Sequence, residues 1–332
     1  MLGNEISLLP AFVNHAEALF DSHSFVVHNS IDGTLEELKT RFPESVTALN
    51  VDGYPQSTVM TQLLLEAFDS GVDVVIPLDA DEFLPFSSKD QFNEYIREIE
   101  AVDVLEVPWR NYSVKEFPLH KDMSNLVYSH QFSQVHKSIV FRSAFLKDPQ
   151  IALTQGNHSL VTSKHLNVKR EKKMFIIHIP IRDPLQYAQK NIHGASTYLR
   201  ENTHDLSDDW VNAALDPFPR MDDLISKSLD YGNMKCLNGH EFLNEIESYS
   251  WMSCGFDESK QKDSFLAVMN TDWHKLKDMY SYEDTDHISR LEMKILLHRI
   301  MKYEKSYSFR MFRKIERILK FKLKFARTLK DG

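Results

Sequence analysis

The sequence predicts an α/β protein in which a mainly parallel central sheet is flanked by helices. Strand-like and helix-like segments alternate through the first half of the 332-residue chain, which is typical of parallel sheets with covering helices. One strand candidate, at 72–78, is mostly apolar and β-branched, as expected for a strand covered on both faces. The length allows one large domain or two ordinary ones.

The predicted elements follow the hydrophobic periodicity along the chain. We expect strands at 25–28, 46–49, 72–78 and 104–109, and helices at 34–41, 58–70 and 88–101. Short strands are then expected at 138–142, 159–162 and 175–179, followed by a helix at 184–201. Segment 111–134 is polar and aromatic without a regular period, so it is predicted to be a long loop or lid.

Composition divides the chain into three predicted regions. Residues 1–204 hold the alternating elements, residues 205–300 are predicted to be mostly helical, and residues 301–332 form a basic tail. The tail has eleven Lys or Arg and three acids, a net +8, so the remaining residues carry −17 of a total of −9. Such an acidic body argues against binding of nucleic acid.

Within the tail, segment 309–329 has apolar residues at helical spacing with Lys and Arg between them. This pattern is typical of an amphipathic helix on an anionic membrane surface. A helix docked on the acidic body of the same protein fits the pattern equally well. An enzyme with a lipid-linked acceptor would benefit from the first arrangement.

Several classes of protein are excluded by composition. Two cysteines, Cys236 and Cys254, are too few for a disulfide scaffold or a four-cysteine zinc site. The first residues lack the basic region of a secretory signal, and no run reaches the roughly 18 apolar residues that span a bilayer. We therefore expect a cytoplasmic protein, peripheral on the inner face of the cell membrane if the tail binds there.

Three carboxylates follow directly on the apolar run 72–78, in the segment Asp79-Ala80-Asp81-Glu82-Phe83. Ligands of open α/β sheets bind beyond the carboxyl ends of the strands. Acids crowded there repel each other unless a cation neutralises them, and carboxylate oxygens suit Mg²⁺ or Mn²⁺. The segment therefore predicts either a cation site or, more simply, a solvated acidic turn.

A second polar segment, Asn29-Ser30-Ile31-Asp32-Gly33-Thr34, follows the predicted strand 25–28. It too lies at the carboxyl end of a strand, where a ligand could bind. An ordinary turn with a helix cap explains the same residues.

Taken together, these segments resemble glycosyltransferase family 2, in bacterial members with a "DADEF" block. Three blocks carry the resemblance: Asn4-Glu5 with Leu9, Pro10 and His15; Asn29 to Thr34; and Leu78 to Phe83. Later segments are also similar: Lys137 to Arg142, Gly156-Asn157-His158, and His178 to Arg182 followed by Gln186 and Lys190. The resemblance covers roughly residues 4–200.

The resemblance implies a GT-A fold, which is Rossmann-like, and transfer of a sugar from a nucleotide-sugar donor. It implies that Asp79 and Asp81 hold Mn²⁺ or Mg²⁺ on the donor diphosphate, and that Asn29 and Asp32 line the nucleoside pocket. The first strand of the family is expected to be missing or truncated, since only three residues precede Asn4. His28 stands where the family often has aspartate.

Other site residues are predicted from chemistry and position. His158 could complete the metal site or be a turn histidine bonded to the backbone. Glu82 and Glu106 are candidate bases for an acceptor hydroxyl, and Arg182 and Lys190 could hold the diphosphate. Stacking on an acceptor sugar or ordinary packing would explain three aromatic residues: Trp109, Tyr112 and Phe117.

We therefore expect a metal-dependent, inverting glycosyltransferase that adds one sugar to a saccharide or lipid-linked acceptor in bacterial polysaccharide or lipopolysaccharide synthesis. The alternative is a non-catalytic relative that binds a sugar or nucleotide. A haloacid-dehalogenase phosphatase is disfavoured because Phe83 stands where that pattern needs Thr or Val. The sequence leaves open the donor, the acceptor, the base and the oligomeric state.

Overall fold

The computed structural model describes residues 1–199 except 52, 100, 116–118, 130 and 172, together with 227–229, 243–245, 249, 251–252, 256–257, 259–261 and 263–268. Its helices are α1 (Leu9–Leu19), α2 (Thr34–Arg41), α3 (Gln56–Asp69), α4 (Lys89–Glu98), α5 (Arg142–Lys147) and α6 (Pro184–Leu199). Its strands are β1 (Phe25–His28), β2 (Val46–Leu49), β3 (Val74–Val75), β4 (Glu82–Phe83), β5 (Val104–Val114), β6 (Leu126–Ser129), β7 (His136–Phe141), β8 (Ala152–Leu153), β9 (Leu160–Val161), β10 (Val168–Arg170), β11 (Ile176–His178) and β12 (Leu243–Glu245).

Strand β5 is the centre of a mixed sheet. It pairs in parallel with β10 and β11, and antiparallel with β6 and β7. Beyond β11 the sheet continues antiparallel to β4, which follows the Asp79–Asp81 segment. Because most of β5 is buried, its alternating side chains face interior space on both sides of the sheet.

The N-terminal residues lie beside β1 and pair with it through backbone hydrogen bonds. Leu2 forms an isolated parallel bridge with Val27. Its N–H donates to the carbonyl of Val26 at 2.8 Å, and its own carbonyl accepts from the N–H of His28 at 2.8 Å. The segment that follows therefore enters the protein next to the carboxyl end of β1.

Two sequence predictions were wrong in extent. The apolar run 72–78 contributes only the two residues of β3 to a ladder, because Pro77 has no N–H to donate and interrupts pairing before the acidic segment. Segment 111–134 is not one loop: β5 continues to Val114 and pairs with β6. Burial of Tyr112 and Val114 stabilises this extension.

Aromatic packing joins the later part of the chain to the segment that bears the carboxylates. The indole of Trp251 stacks on Phe83, with ring centroids 4.4 Å apart and planes 3° from parallel. Ser7 Oγ donates to Gln261 Oε1 at 2.6 Å in the same interior.

All described residues belong to one compact unit, Met1–His274, and the second unit, Lys275–Gly332, lies outside them. The basic tail and most of region 205–300 therefore also lie outside the described residues. No helix in the described part of the chain is long and apolar enough to cross a membrane.

Candidate active site

A cleft of about 480 Å³ opens where the Asp79–Asp81 segment, the end of β1, the middle of β5 and helix α6 meet. Of the nine residues predicted to bind the metal or donor or to act as a base, four line it: Asp79, Asp81, His158 and Lys190. Five do not line it: Asn29, Asp32, Glu82, Glu106 and Arg182. Trp109, predicted to stack on an acceptor or to pack, also lines the cleft, and so do Glu5 and His193, to which the sequence assigned no role.

Asp79 forms an ion pair with a buried ammonium group, that of Lys137. Lys137 Nζ, on a side chain that is 1% exposed, lies 2.7 Å from Asp79 Oδ2 and 3.0 Å from Glu82 Oε2. Burial alone would raise the pKa of Asp79, but the charge and hydrogen bond of Lys137 and the charge of the Met1 ammonium together outweigh it and lower that pKa. Sequence reasoning assigned Lys137 no role in the site, although a lysine in the apolar strand β7 was the available signal.

Glu82 lies under the cleft rather than in it. Its side chain is fully buried, and its Oε2 accepts from the N–H of Asp79 at 2.8 Å. Burial raises the pKa of Glu82 to about 8, so the carboxyl holds its proton at neutral pH. Together Lys137, Asp79 and Glu82 form a triad with one positive charge for each ionised carboxylate.

Asp81 faces the other cation of the cleft. Lys190 Nζ, on α6, donates to Asp81 Oδ2 at 3.0 Å, and His178 Nε2 lies 4.0 Å from the same oxygen. Burial alone would raise the pKa of Asp81, but Lys190 and His178 outweigh it and hold that pKa well below its usual range. The ammonium of Lys190 is 30% exposed, so a ligand phosphate in the cleft could reach it.

Arg182 was predicted to hold a diphosphate, but the structure places it behind the cleft wall. The side chain is fully buried, and its Nη2 lies 2.5 Å from Glu5 Oε2. Glu5 itself lines the cleft. Burial raises the pKa of Glu5 to about 7, although the charge of Arg182 opposes the shift.

Asp32 was predicted to line a nucleoside pocket, but its two oxygens are used inside the protein. Oδ1 accepts from Thr34 N at 3.0 Å, Thr34 Oγ1 at 2.6 Å and Ser30 Oγ at 2.9 Å. Oδ2 accepts from Ile6 N at 3.1 Å and Ser264 Oγ at 2.8 Å. Asp32 thus ties three separate chain segments together.

The rest of that turn is also occupied by internal bonds. Asn29 donates from Nδ2 to the carbonyl of Val51 at 2.8 Å. Its neighbour His28 lines the cleft, with the ring of Tyr54 5.7 Å away in an edge contact. At this end of β1, the cleft is therefore lined by the side chain of His28, and not by those of Asn29 and Asp32.

One wall of the cleft is formed by three aromatic rings that pack together: Trp109 of β5, His178 of β11 and His158. The indole of Trp109 lies 4.1 Å from the ring of His178 at an angle of 22°, and His158 meets its edge at 5.3 Å. His178 Nδ1 is 2.8 Å from Asn111 Oδ1, which must accept, so this nitrogen carries the proton and Nε2 faces Asp81. Burial lowers the pKa of His178 to about 3.

The imidazole of His158 packs directly against the backbone of Gly156. Gly156 has a φ of 76°, and a Cβ at this position would lie 2.2 Å from Nε2 of His158. His158 Nδ1 also lies 2.8 Å from the carbonyl of His136. Any larger residue at 156 would displace this imidazole from the wall.

Glu106 lies outside the cleft. Its Oε2 accepts from Arg170 Nε at 2.8 Å, on an arginine whose side chain is 74% exposed. The ion pair bridges two parallel strands, β5 and β10.

The two cleft carboxylates fit a divalent cation that is held mainly by a ligand. The described residues contain no group of three or more His, Cys, Asp or Glu side chains that could enclose a metal. Mg²⁺ commonly uses one or two protein carboxylates and completes its shell with water and substrate phosphates. Asp79 and Asp81 supply such oxygens, whereas His158 forms no metal-binding group with them.

Buried titratable groups predict a stability maximum in mildly acidic solution. His15 and His178 have pKa values lowered to about 3 by burial, from 6.5, so stability is lost as pH falls from 6.5. Glu5 and Glu82 have pKa values raised to about 7 and 8, from 4.5, so stability is lost as pH rises from 4.5 to 8. The two effects oppose each other between pH 4.5 and 6.5.

We expect the melting temperature to be highest in that window and to fall on both sides of it. Glu82→Gln should flatten the decline between pH 6.5 and 8, whereas Glu44→Gln, at an exposed site, should leave it unchanged. Thermal melts followed by circular dichroism from pH 4 to 9 measure this. A melting temperature that rises from pH 6.5 to 8 contradicts the assignment.

No family model matches the chain, and no curated protein matches it. Among solved structures it is similar to S. aureus TarS, at 15% identity and a TM-score of 0.32, over 96% of this chain. The chain spans about half of the TarS chain, 53%. At this TM-score the likeness carries no argument about function.

Proposed function

We propose that the protein is a glycosyltransferase that moves one sugar from a nucleotide-diphosphate sugar to a saccharide or lipid-linked acceptor in bacterial cell-surface polysaccharide or lipopolysaccharide synthesis. The observation that carries the proposal is that two carboxylates, Asp79 and Asp81, line one cleft together with the partly exposed side chain of Lys190, which pairs with Asp81. The order of the sequence blocks supports the same reading.

Each side of the cleft suits one part of a donor. His28 and Tyr54 offer rings beside the end of β1, where a nucleoside base could stack. Lys190 offers a cation to the diphosphate. When bound at Asp79 and Asp81, Mg²⁺ or Mn²⁺ would neutralise charge on the departing nucleoside diphosphate.

The acceptor hydroxyl needs a base within hydrogen-bond reach. Of the two residues first considered, Glu82 is buried and Glu106 is paired with Arg170. Glu5 lines the cleft and has a pKa raised to about 7 by burial, which suits a general base.

We expect Glu5→Gln to lower kcat without weakening nucleotide binding, and Glu106→Gln to change neither. Equal kcat values for the two variants would remove Glu5 from this role.

The donor class is tested by thermal shift with UDP, GDP, CDP and ADP, with and without Mn²⁺. A ligand at 100 times its Kd stabilises the fold by about 2.7 kcal/mol, so one nucleotide should give a clear, metal-dependent shift. Hydrolysis of the matching nucleotide sugar then separates the enzyme from a non-catalytic binding protein, which would show the shift without hydrolysis. No shift with any nucleotide rejects both readings.

We further propose that segment 309–329, outside the described residues, holds the protein at an anionic membrane surface near a lipid-linked acceptor. Its net positive charge favours acidic headgroups. Removing residues 309–332 should abolish co-sedimentation with phosphatidylglycerol vesicles, and neutral phosphatidylcholine vesicles are the control. Unchanged sedimentation of the shortened protein contradicts this role.

A further inference from the structure

A second cavity, of about 670 Å³, is separated from the catalytic cleft by strand β5. Trp109 lines the first cleft, whereas Arg110 and Tyr112 line the second. Since successive side chains of a strand point to opposite faces, β5 presents a different set of residues on each side. The second cavity lies within the size range of small-molecule sites, about 300–1,000 Å³.

Aromatic rings form much of the wall of this cavity. Four are tyrosines, which combine an apolar ring face with a hydroxyl group. Pairs of rings contact each other at tilted angles: Tyr112 and Tyr128 are 5.0 Å apart at 44°, and Phe86 and Tyr95 are 5.5 Å apart at 45°. The aromatic lining residues are Phe86, Tyr95, Tyr112, Tyr128, Phe175 and Tyr249.

Arg110 stands among these rings with a hydrogen-bonding atom unused. Its guanidinium carbon lies 3.9 Å from the ring centroid of Phe175, 4.5 Å from that of Phe132 and 4.9 Å from that of Tyr128. Its Nε is buried and has no hydrogen-bond partner in the described part of the protein. The aromatic faces stabilise the cation and fix its plane, but they do not supply the anion that a guanidinium binds best.

Other cations at this cavity add to the charge of Arg110. Among its described lining residues are four cations and two carboxylates, and one of the cations, Arg170, is paired with Glu106 outside the lining. Glu171, one of those carboxylates, already accepts from the hydroxyl of Tyr95 at 2.6 Å. In a chain with a net charge of −9, this cavity is a local positive site. Lys169 and Lys173 stand beside Arg110 in its lining.

We propose that this second cavity binds an anionic saccharide. Tyrosine rings pack against the C–H faces of sugars while their hydroxyls exchange hydrogen bonds with a polyol. The guanidinium of Arg110 and the two lysines pair with the carboxylates of such a ligand. Binding here does not require transferase activity, so it can be tested separately from the proposed function.

The test is isothermal titration calorimetry of the full chain with trigalacturonate, an acidic trisaccharide, and with maltotriose, its neutral counterpart. We expect trigalacturonate to bind at least ten times more tightly than maltotriose, and more weakly as salt is raised. Arg110→Gln should weaken binding at least tenfold. Lys169→Gln, at a half-buried position of the cavity lining, should also weaken trigalacturonate binding. It provides a second test of the site in case the Arg110→Gln variant does not fold.

Two variants locate the site. Arg41→Gln removes a surface arginine paired with Glu17 and should leave the affinity unchanged, as should Lys190→Gln, which removes a cation of the first cleft. Loss of trigalacturonate binding in Lys190→Gln would assign the ligand to the first cleft and overturn the proposal. Equal affinity for maltotriose, absence of binding at millimolar trigalacturonate, or Arg110-dependent binding of UMP in its place would also overturn it.

Discussion

Replacing Asp81 by asparagine is expected to lower sugar transfer by about 10²–10³-fold, the loss seen when one preorganised electrostatic group is removed from an active site. The amide keeps the shape of the side chain but loses the charge that faces Lys190 at 3.0 Å. It also replaces the anionic oxygen proposed to bind the divalent cation by the neutral oxygen of an amide. Initial rates measured with the donor from the nucleotide screen, over a range of Mn²⁺ concentrations, check this.

A matched substitution shows whether the loss is specific. Asp21 is 81% exposed and contacts Lys89 far from the cleft lining, so Asp21→Asn should keep full activity. Because Lys190 is partly exposed, water can solvate it in the Asp81→Asn variant, and the melting temperature should change little. Turnover within twofold of the parent would exclude Asp81 from the catalytic machinery.

The largest loss of stability is expected for Lys137→Met. This change removes the buried ammonium shared by Asp79 and Glu82, so the ionised Asp79 loses its closest cation and the protonated Glu82 loses a hydrogen-bond donor. Breaking a buried ion pair from one side costs about 3–5 kcal/mol. Burial would lower the pKa of Lys137, but the two carboxyl groups outweigh it and raise that pKa, so the group is charged at neutral pH.

Urea unfolding followed by circular dichroism measures this loss. Lys89→Met, at an exposed pair with Asp21, is the control and should cost less than about 1 kcal/mol. The double variant Lys137→Met/Asp79→Asn should recover part of the lost free energy, since a neutral amide at position 79 needs no counter-charge. Equal losses for Lys137→Met and Lys89→Met would show that the triad contributes no more than a surface ion pair.

Local pattern was sufficient for most elements of this fold. Helix 34–41 and strands 25–28 and 46–49 have the bounds predicted from periodicity. The strand predicted at 72–78 was too long because it was inferred from apolar composition, which takes no account of the missing N–H of Pro77. Segment 111–134 failed because the pairing of β5 with β6 depends on a distant chain segment, which no window of sequence contains.

The candidate site was predictable only where chemistry and strand ends coincide. Asp79 and Asp81 follow the predicted strand 72–78, so their place in the cleft could be inferred from position, although the strand itself ends at Val75. The partners of these carboxylates come from remote elements: Lys137 lies 58 residues beyond Asp79, and Lys190 lies 109 beyond Asp81. The spacing of residues along the sequence does not predict which acidic side chain pairs with which basic one. The pairing of Arg182 with Glu5 is one such case.

The bonds of Asp32 have an evolutionary consequence. Its oxygens join the chain near Ile6, the turn at Ser30 and Thr34, and Ser264, so selection for folding alone would retain this aspartate. Under the proposed function, selection for sugar transfer would retain Asp81 and Lys190 in addition. A relative without that function would keep the Asn29–Thr34 segment and could lose the acid–lysine pair across the cleft, so this pair would be the better marker of the proposed activity.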